Sequence, residues 1–148
     1  MNDKKNLEKI IESDQRVAVI ETTDPLDLTA YMKRLTLTTG RAVYDWSAEH
    51  GLYRLGIEHI FIPRTRTPAD VLSYITSSRH YGIYLLRDFD ETLLRPAVER
   101  QLHRLLEKQD NVRRLVFFVG HSVKLPSALA TTTIKLRWNE AKEQQRQA

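Results

Sequence analysis

The chain has no cysteine among its 148 residues. Disulfides and thiolate metal sites are thereby excluded, and a reducing cytoplasm is the expected setting. No apolar run approaches the roughly 20 residues that a membrane-spanning helix needs, so no membrane association is expected. The first six residues, Met-Asn-Asp-Lys-Lys-Asn, lead into an amphipathic segment rather than the apolar core of a signal peptide. Glycine is scarce, with five in all, and none follows the first apolar run. A phosphate loop there would need glycines to turn backbone N–H groups toward the anion, and then a Lys and a Ser or Thr. The five histidines, His50, His59, His80, His103 and His121, show no metal-ligand spacing, so neither a metal nor another cofactor is expected. The Gly-x-Ser-x-Gly elbow of a serine hydrolase is also missing.

What is present is the material of a soluble globular domain. The hydrophobic share is 41%, the charged share 28%, and the net charge +4 from 23 Lys and Arg against 19 Asp and Glu. That length suffices for one domain with a proper core, and no repeat, linker or low-complexity block divides it. Residues 1–138 are expected to form the domain and the polar residues 139–148 a tail.

The most informative stretch is Ile83 to Glu91, Ile-Tyr-Leu-Leu-Arg-Asp-Phe-Asp-Glu. An apolar run that ends in acids is how a buried strand delivers carboxylates to the edge of a sheet. Before it, residues 3–13 predict a helix through Leu7, Ile10 and Ile11, and Val17 to Ile20 a strand buried on both sides. Asp24, Pro25 and Asp27 open a helix as cap, first position and capping-box acid. Leu28, Tyr31, Met32 and Leu35 supply its inner stripe, and Gly40 ends it. Ala42 to Trp46 predicts the second strand, Ser47 to Arg54 a loop, and Ile57 to Ile62 a short strand. Thr67 to Asp70 repeats the helix start. After the acidic strand end, Pro96 opens a helix with Val98, Leu102, Leu105 and Leu106 inward. Arg114 to Val119 is the clearest buried strand, one helical turn is expected at 126–129, and Thr133 to Trp138 predicts a last strand.

This alternation predicts an α/β fold in three layers, an open, mostly parallel sheet of about five strands with helices on both faces. The order of parts resembles the P-loop NTPase core. Four stretches narrow the resemblance: Ala18-Val-Ile-Glu-Thr-Thr-Asp-Pro, Val43-Tyr-Asp-Trp-Ser-Ala-Glu-His-Gly-Leu, Tyr84-Leu-Leu-Arg-Asp-Phe-Asp, and the run from Leu115 through Gly120-His-Ser to Leu125-Pro-Ser-Ala-Leu. In this order they resemble the degenerate N-terminal domain of AAA+ ATPases encoded in chloroplast and cyanobacterial genomes. The resemblance implies a P-loop NTPase-like fold without the phosphate loop. In that family an ATPase module follows the domain. None follows Trp138 here, so a stand-alone relative that does not hydrolyse ATP is expected.

Three functions remain open. A nucleotide pocket, or a weak ATPase of unusual mode, would draw on Thr23, Asp24, Asp88, Asp90, His121 and Ser122 at the strand ends. Against it, Asp24 and Asp27 would repel a polyphosphate, Phe89 stands where a hydrolase places its Glu, and Arg87 would pair with Asp88. A nucleic-acid interface would use Arg100, Arg104 and Lys108 on one helix face, extended by Arg113 and Arg114. Glu99, Glu107 and Asp110 make the same row readable as a solvated face. The leading expectation is a non-catalytic interaction or regulatory module with a protein partner, including a homodimer formed along the edge of the last strand.

Overall fold

The computed structural model describes residues 3–58 and 60–139, with backbone alone at positions 90 and 91. Helix α1 (Asp3–Glu12) leads into strand β1 (Val17–Glu21), followed by α2 (Pro25–Thr39), β2 (Val43–Ser47), β3 (Gly51–Arg54) and β4 (Phe61–Ile62). Next come α3 (Pro68–Ser77), β5 (Gly82–Arg87), a 3-10 turn (Asp90–Leu94), α4 (Pro96–Glu107), β6 (Arg114–Gly120), α5 (Ser127–Ala130) and β7 (Ile134–Arg137).

The strands form one sheet in the order β4-β3-β2-β5-β6-β1-β7. β6 is inserted between β5 and β1, and the five strands from β2 to β7 run parallel. Successive residues of the central strands feed opposite faces, as the two-residue strand period requires. Val17, Val19, Tyr84, Leu86, Val116 and Phe118 pack under α3 and α4. Ala18, Ile20, Ile83, Leu85, Leu115 and Phe117 pack under α1 and α2. Two apolar layers enclosing one sheet explain why β5 and β6 read as continuous hydrophobic runs. This is the expected three-layer α/β architecture of a P-loop NTPase-like fold.

The strand number is a correction. Among the described residues seven strands stand where about five were expected, because residues 47–54 are not simply a loop. Gly51 holds φ +76°, and a Cβ on it would meet the Thr65 hydroxyl at 2.7 Å. That turn lets β3 fold back antiparallel on β2, with Trp46 opposite Leu52. β4 adds antiparallel to β3 with only Phe61 and Ile62, shorter than the segment 57–62 expected, because Gly56 turns the chain at φ +82°. The polar tail expected at 139–148 lies outside the described residues from 140 onward.

The helix ends are held by side chains from near and far. Asp24 caps α2 by accepting the Asp27 N–H at 3.1 Å, and Gly40 closes it at φ 74°. Thr67 caps α3 in the same way. The last carbonyls of α4, Leu105 and Leu106, accept from the Arg16 guanidinium at 3.2 and 2.8 Å. Those of Ile10 and Ile11 in α1 accept from Arg113 at 3.3 and 3.2 Å. A cation suits a helix C-terminus, where orphan carbonyls and the helix dipole both favour it.

Candidate functional site

The carboxyl ends of β1, β2, β5 and β6 gather the residues with chemical potential. At the end of β1 only Thr22, Thr23 and Asp24 separate strand from helix. Pro25 has no N–H to offer, the Asp27 N–H is taken by Asp24, and the Asp24 N–H is taken by the Thr22 hydroxyl at 3.0 Å. Asp27 therefore does not close a capping box. Its carboxylate instead accepts the Trp138 indole N–H at 2.9 Å. Trp138 is 1% exposed and packs against Tyr31 with the rings tilted by 48° and their centroids 5.1 Å apart. Its backbone N–H reaches the Glu21 carbonyl at 2.9 Å, and its carbonyl accepts the Thr22 hydroxyl at 2.9 Å. Trp138, the first residue beyond β7, thus lies against the start of α2. A phosphate would meet two carboxylates and few free donors there.

Thr23, His121 and Ser122 do come together, in a shallow cleft of about 310 Å³ that also takes in Glu21 and Arg137. Glu21 is committed within it, accepting the Val123 N–H at 3.3 Å and lying 3.8 Å from Lys135. Asp24 is occupied as the helix cap. Asp88 is absent from this cleft. It sits exposed beyond β5 at φ 60°, a left-handed backbone that Asp tolerates better than most residues, and β6 separates its strand from β1. The side chains of Asp90 and Glu91 lie outside the described residues, as does His59. Among the described residues no three His, Asp or Glu side chains group as a metal site.

Arg87 does not pair with Asp88. Leu85 lies opposite Asp45 in the β2–β5 register, so Arg87, two residues on, shares Asp45's face of the sheet. The two side chains meet at 2.7 Å. The basic row is also shorter than expected. Arg114 is buried, forking onto the Asp110 carboxylate at 2.8 and 2.9 Å and donating to the Ser78 carbonyl. Asp110 is held down to about 2, chiefly by that hydrogen bond. Arg113 is spent on backbone carbonyls. Of the five cations in the expected patch, Arg100, Arg104 and Lys108 stay exposed.

A second cavity was not anticipated. Between α2 and the β3–β4 hairpin runs a groove of about 520 Å³ with Leu26, Tyr53 and Phe61 on its walls and Asp45 and Arg87 at its base. Leu26 is 73% and Phe61 51% exposed, and Leu37, Ile57 and Ile60 on the same helix and hairpin segment are exposed too. The Asp45 side chain is only 8% exposed, and burial, opposed by the Arg87 charge, pushes its carboxyl above the usual range. Its Oδ1 and the Arg87 Nε have no hydrogen-bond partner among the described residues. A signal for this surface existed. Leu26, Ala30 and Leu37 recur at helical spacing on the side of α2 opposite Leu28 and Met32, which leaves a second, exposed apolar ridge.

The family model for the SpoVK-like AAA ATPase, N-terminal domain, matches residues 3–137. The chain belongs to this family. The match runs from the start of α1 to the end of β7 and so takes in both apolar layers. The expected relation to the N-terminal domain of AAA+ ATPases is thereby shown. Within this SpoVK-like domain, the position of the phosphate loop is the short, self-capped turn of Thr22 to Asp24. No curated protein matches the chain.

Proposed function

We propose that this SpoVK-like N-terminal domain is a non-catalytic protein-interaction or regulatory module of the cytoplasm. The observation that carries the reading is the exposed apolar surface of Leu26 and Phe61 in one groove, with Leu37 on the same helix and Ile57 and Ile60 between β3 and β4 exposed as well. Large exposed apolar groups collected in one place mark a contact surface, whereas scattered ones mean little. The absence of catalysis is supported by the β1–α2 turn, whose Asp24 and Asp27 carboxylates are engaged within the domain. Among the described residues no helix is long and apolar enough to cross a membrane.

One observation favours a second reading, nucleotide binding: Thr23, His121, Ser122 and Arg137 share a cleft at the strand ends. A thermal unfolding scan with and without millimolar MgATP, with ADP and GTP as controls, separates the two. A nucleotide at about 100 times its dissociation constant adds roughly 2.7 kcal/mol, which raises Tm by several degrees. We expect no shift. A clear shift that Arg137→Ala removes would replace the interaction reading with nucleotide binding.

A further inference from the structure

We propose that the open edge of β7 takes up an extended segment of a partner protein as a further strand, through a stretch that reads acid, apolar, acid. This surface is separate from the groove between α2 and the hairpin, so the inference goes beyond the reading above.

The backbone decides where such a segment binds. β7 ends the sheet, with β1 on one side and no strand on the other among the described residues. Trp138 donates its N–H to the Glu21 carbonyl, and alternation along the parallel ladder then turns Leu136 and Ile134 toward β1 as well. The N–H and C=O groups of Lys135 and Arg137 therefore point outward, and no hydrogen bond among the described residues engages them. Both ends of this window are closed. Thr133 donates to the Leu129 carbonyl at 3.1 Å, and the Asp3 carboxylate takes the Asn139 N–H at 2.8 Å. Between β7 and α1 lies a cavity of about 520 Å³ whose lining includes Lys135, Arg137, Ile134, Leu136 and Ile10. Unpaired donors and acceptors along the wall of a cavity are the template that strand addition uses. The opposite edge offers less, because β4 has two residues and Pro63 follows it at once.

The side chains set the sequence of the occupant. Lys135 lies opposite Val19 and Arg137 opposite Glu21, on one face of the sheet. Ile134 and Leu136 lie on the other face, with Ile10 of α1 beside them. A paired strand puts its residues opposite Lys135 and Arg137 on the first face and the residue between them on the second. The accessible charge on the first face is positive. Arg137 is exposed and makes no ion pair among the described residues, and the Lys135 side chain is 55% exposed. The neighbouring acids are used within the domain. Glu21, with a side chain 19% exposed, accepts the Val123 N–H and lies 3.8 Å from Lys135, while Asp3 is buried and holds Asn139. Acids of the partner answer the two cations, and an apolar residue between them meets Ile134 and Ile10 in the cavity. A second copy of this chain fits less well. Antiparallel pairing of two such windows sets Lys135 or Arg137 of one copy against Lys135 or Arg137 of the other, and like charges directly opposite destabilise a pair.

The test is a phage-display selection of random nonapeptides on the intact chain, with Lys135→Pro as counter-target. Proline at this position removes one outward N–H and leaves the bonds to β1 in place, which an edge strand tolerates. Peptides that bind the wild type and not the variant are expected to carry Asp or Glu at two positions separated by one apolar residue. In a synthetic representative, exchanging both acids for Lys should weaken binding about ten-fold or more. Arg137→Glu in the protein should weaken the acidic peptide about ten-fold and strengthen the lysine peptide. N-methylation of either acidic residue's amide should abolish binding, whereas N-methylation of the apolar residue between them, whose N–H points away from β7, should leave it within about three-fold. Circular dichroism checks that each variant is folded, and Arg137→Glu replaces Lys135→Pro as counter-target if the proline variant does not fold. Selected peptides without the acid-apolar-acid alternation, equal binding of the acidic and lysine peptides, or indifference to which amide is methylated would overturn the inference. So would a selection that yields no peptide sensitive to the edge variant. Each of these results leaves the groove between α2 and the hairpin, and the reading built on it, untouched.

Discussion

Replacing Trp138 by Phe removes the indole N–H that Asp27 accepts at 2.9 Å, while keeping an aromatic ring against Tyr31. A hydrogen bond to a charged group contributes about 1.5–3 kcal/mol. Asp27 is partly exposed, so water can take over one lone pair and the lower end applies. The smaller ring also leaves apolar area unburied, worth about 1 kcal/mol at roughly 25 cal/mol per Å². The backbone bonds of Trp138 to Glu21 and Thr22 survive the change. The expected loss is therefore about 2–3 kcal/mol, or about 4–12 °C in Tm at about 2–4 °C per kcal/mol for a chain of this size. Urea unfolding followed by far-ultraviolet circular dichroism measures it without depending on tryptophan fluorescence. Asp27→Asn and the double variant complete a cycle, in which a coupling of about 1 kcal/mol is expected. If Trp138→Phe stays within about 0.5 kcal/mol of wild type, or the two changes simply add, the side-chain closure of the β1–α2 turn described above is wrong.

Two further perturbations probe the framework. Asp110 titrates at about 2 because Arg114 holds its charged form, so its contribution is present above the ordinary carboxylate pKa of about 3.9 and is lost as pH falls from there toward about 2. Asp110→Asn should flatten stability over that acid window in urea titrations, and an unchanged acid limb would refute the assignment. Asp45, whose carboxyl is raised by burial, works with the opposite sign and cannot produce that limb. Arg16→Met should cost about 1–2 kcal/mol by uncovering the last carbonyls of α4, whereas Arg100→Met, on the exposed face of the same helix, should stay within about 0.5 kcal/mol. Equal losses would deny Arg16 its role as a cap.

The architecture was legible because its signals are local. Val17 to Ile20 and Arg114 to Val119 are apolar at every position, which suits a strand covered on both faces, and their neighbours alternate with helical spacing. Asp24-Pro25 and Thr67-Pro68 announce helix starts through contacts three residues long. The four stretches that carry the family resemblance lie on β1, β2, β5 and β6, which is why their order was enough. The hairpin of β3 was hidden, because Gly51 reads as a loop residue until Trp46 and Leu52 are seen paired.

What the sequence by itself determined, then, is the succession of buried strands and capped helices and the lack of a phosphate loop. Those are properties of neighbours along the chain. Only the tertiary structure decided the partners of the charged groups and the place of the groove. Arg87 finds Asp45 across 42 positions and Trp138 finds Asp27 across 111. Arg113, which reads as a surface cation beside Arg100, is drawn inward by the last carbonyls of α1, and Arg114 reaches the Ser78 carbonyl across 36 positions. Strand register and helix placement choose among many chemically equivalent partners, and that choice has no trace in any single stretch of residues.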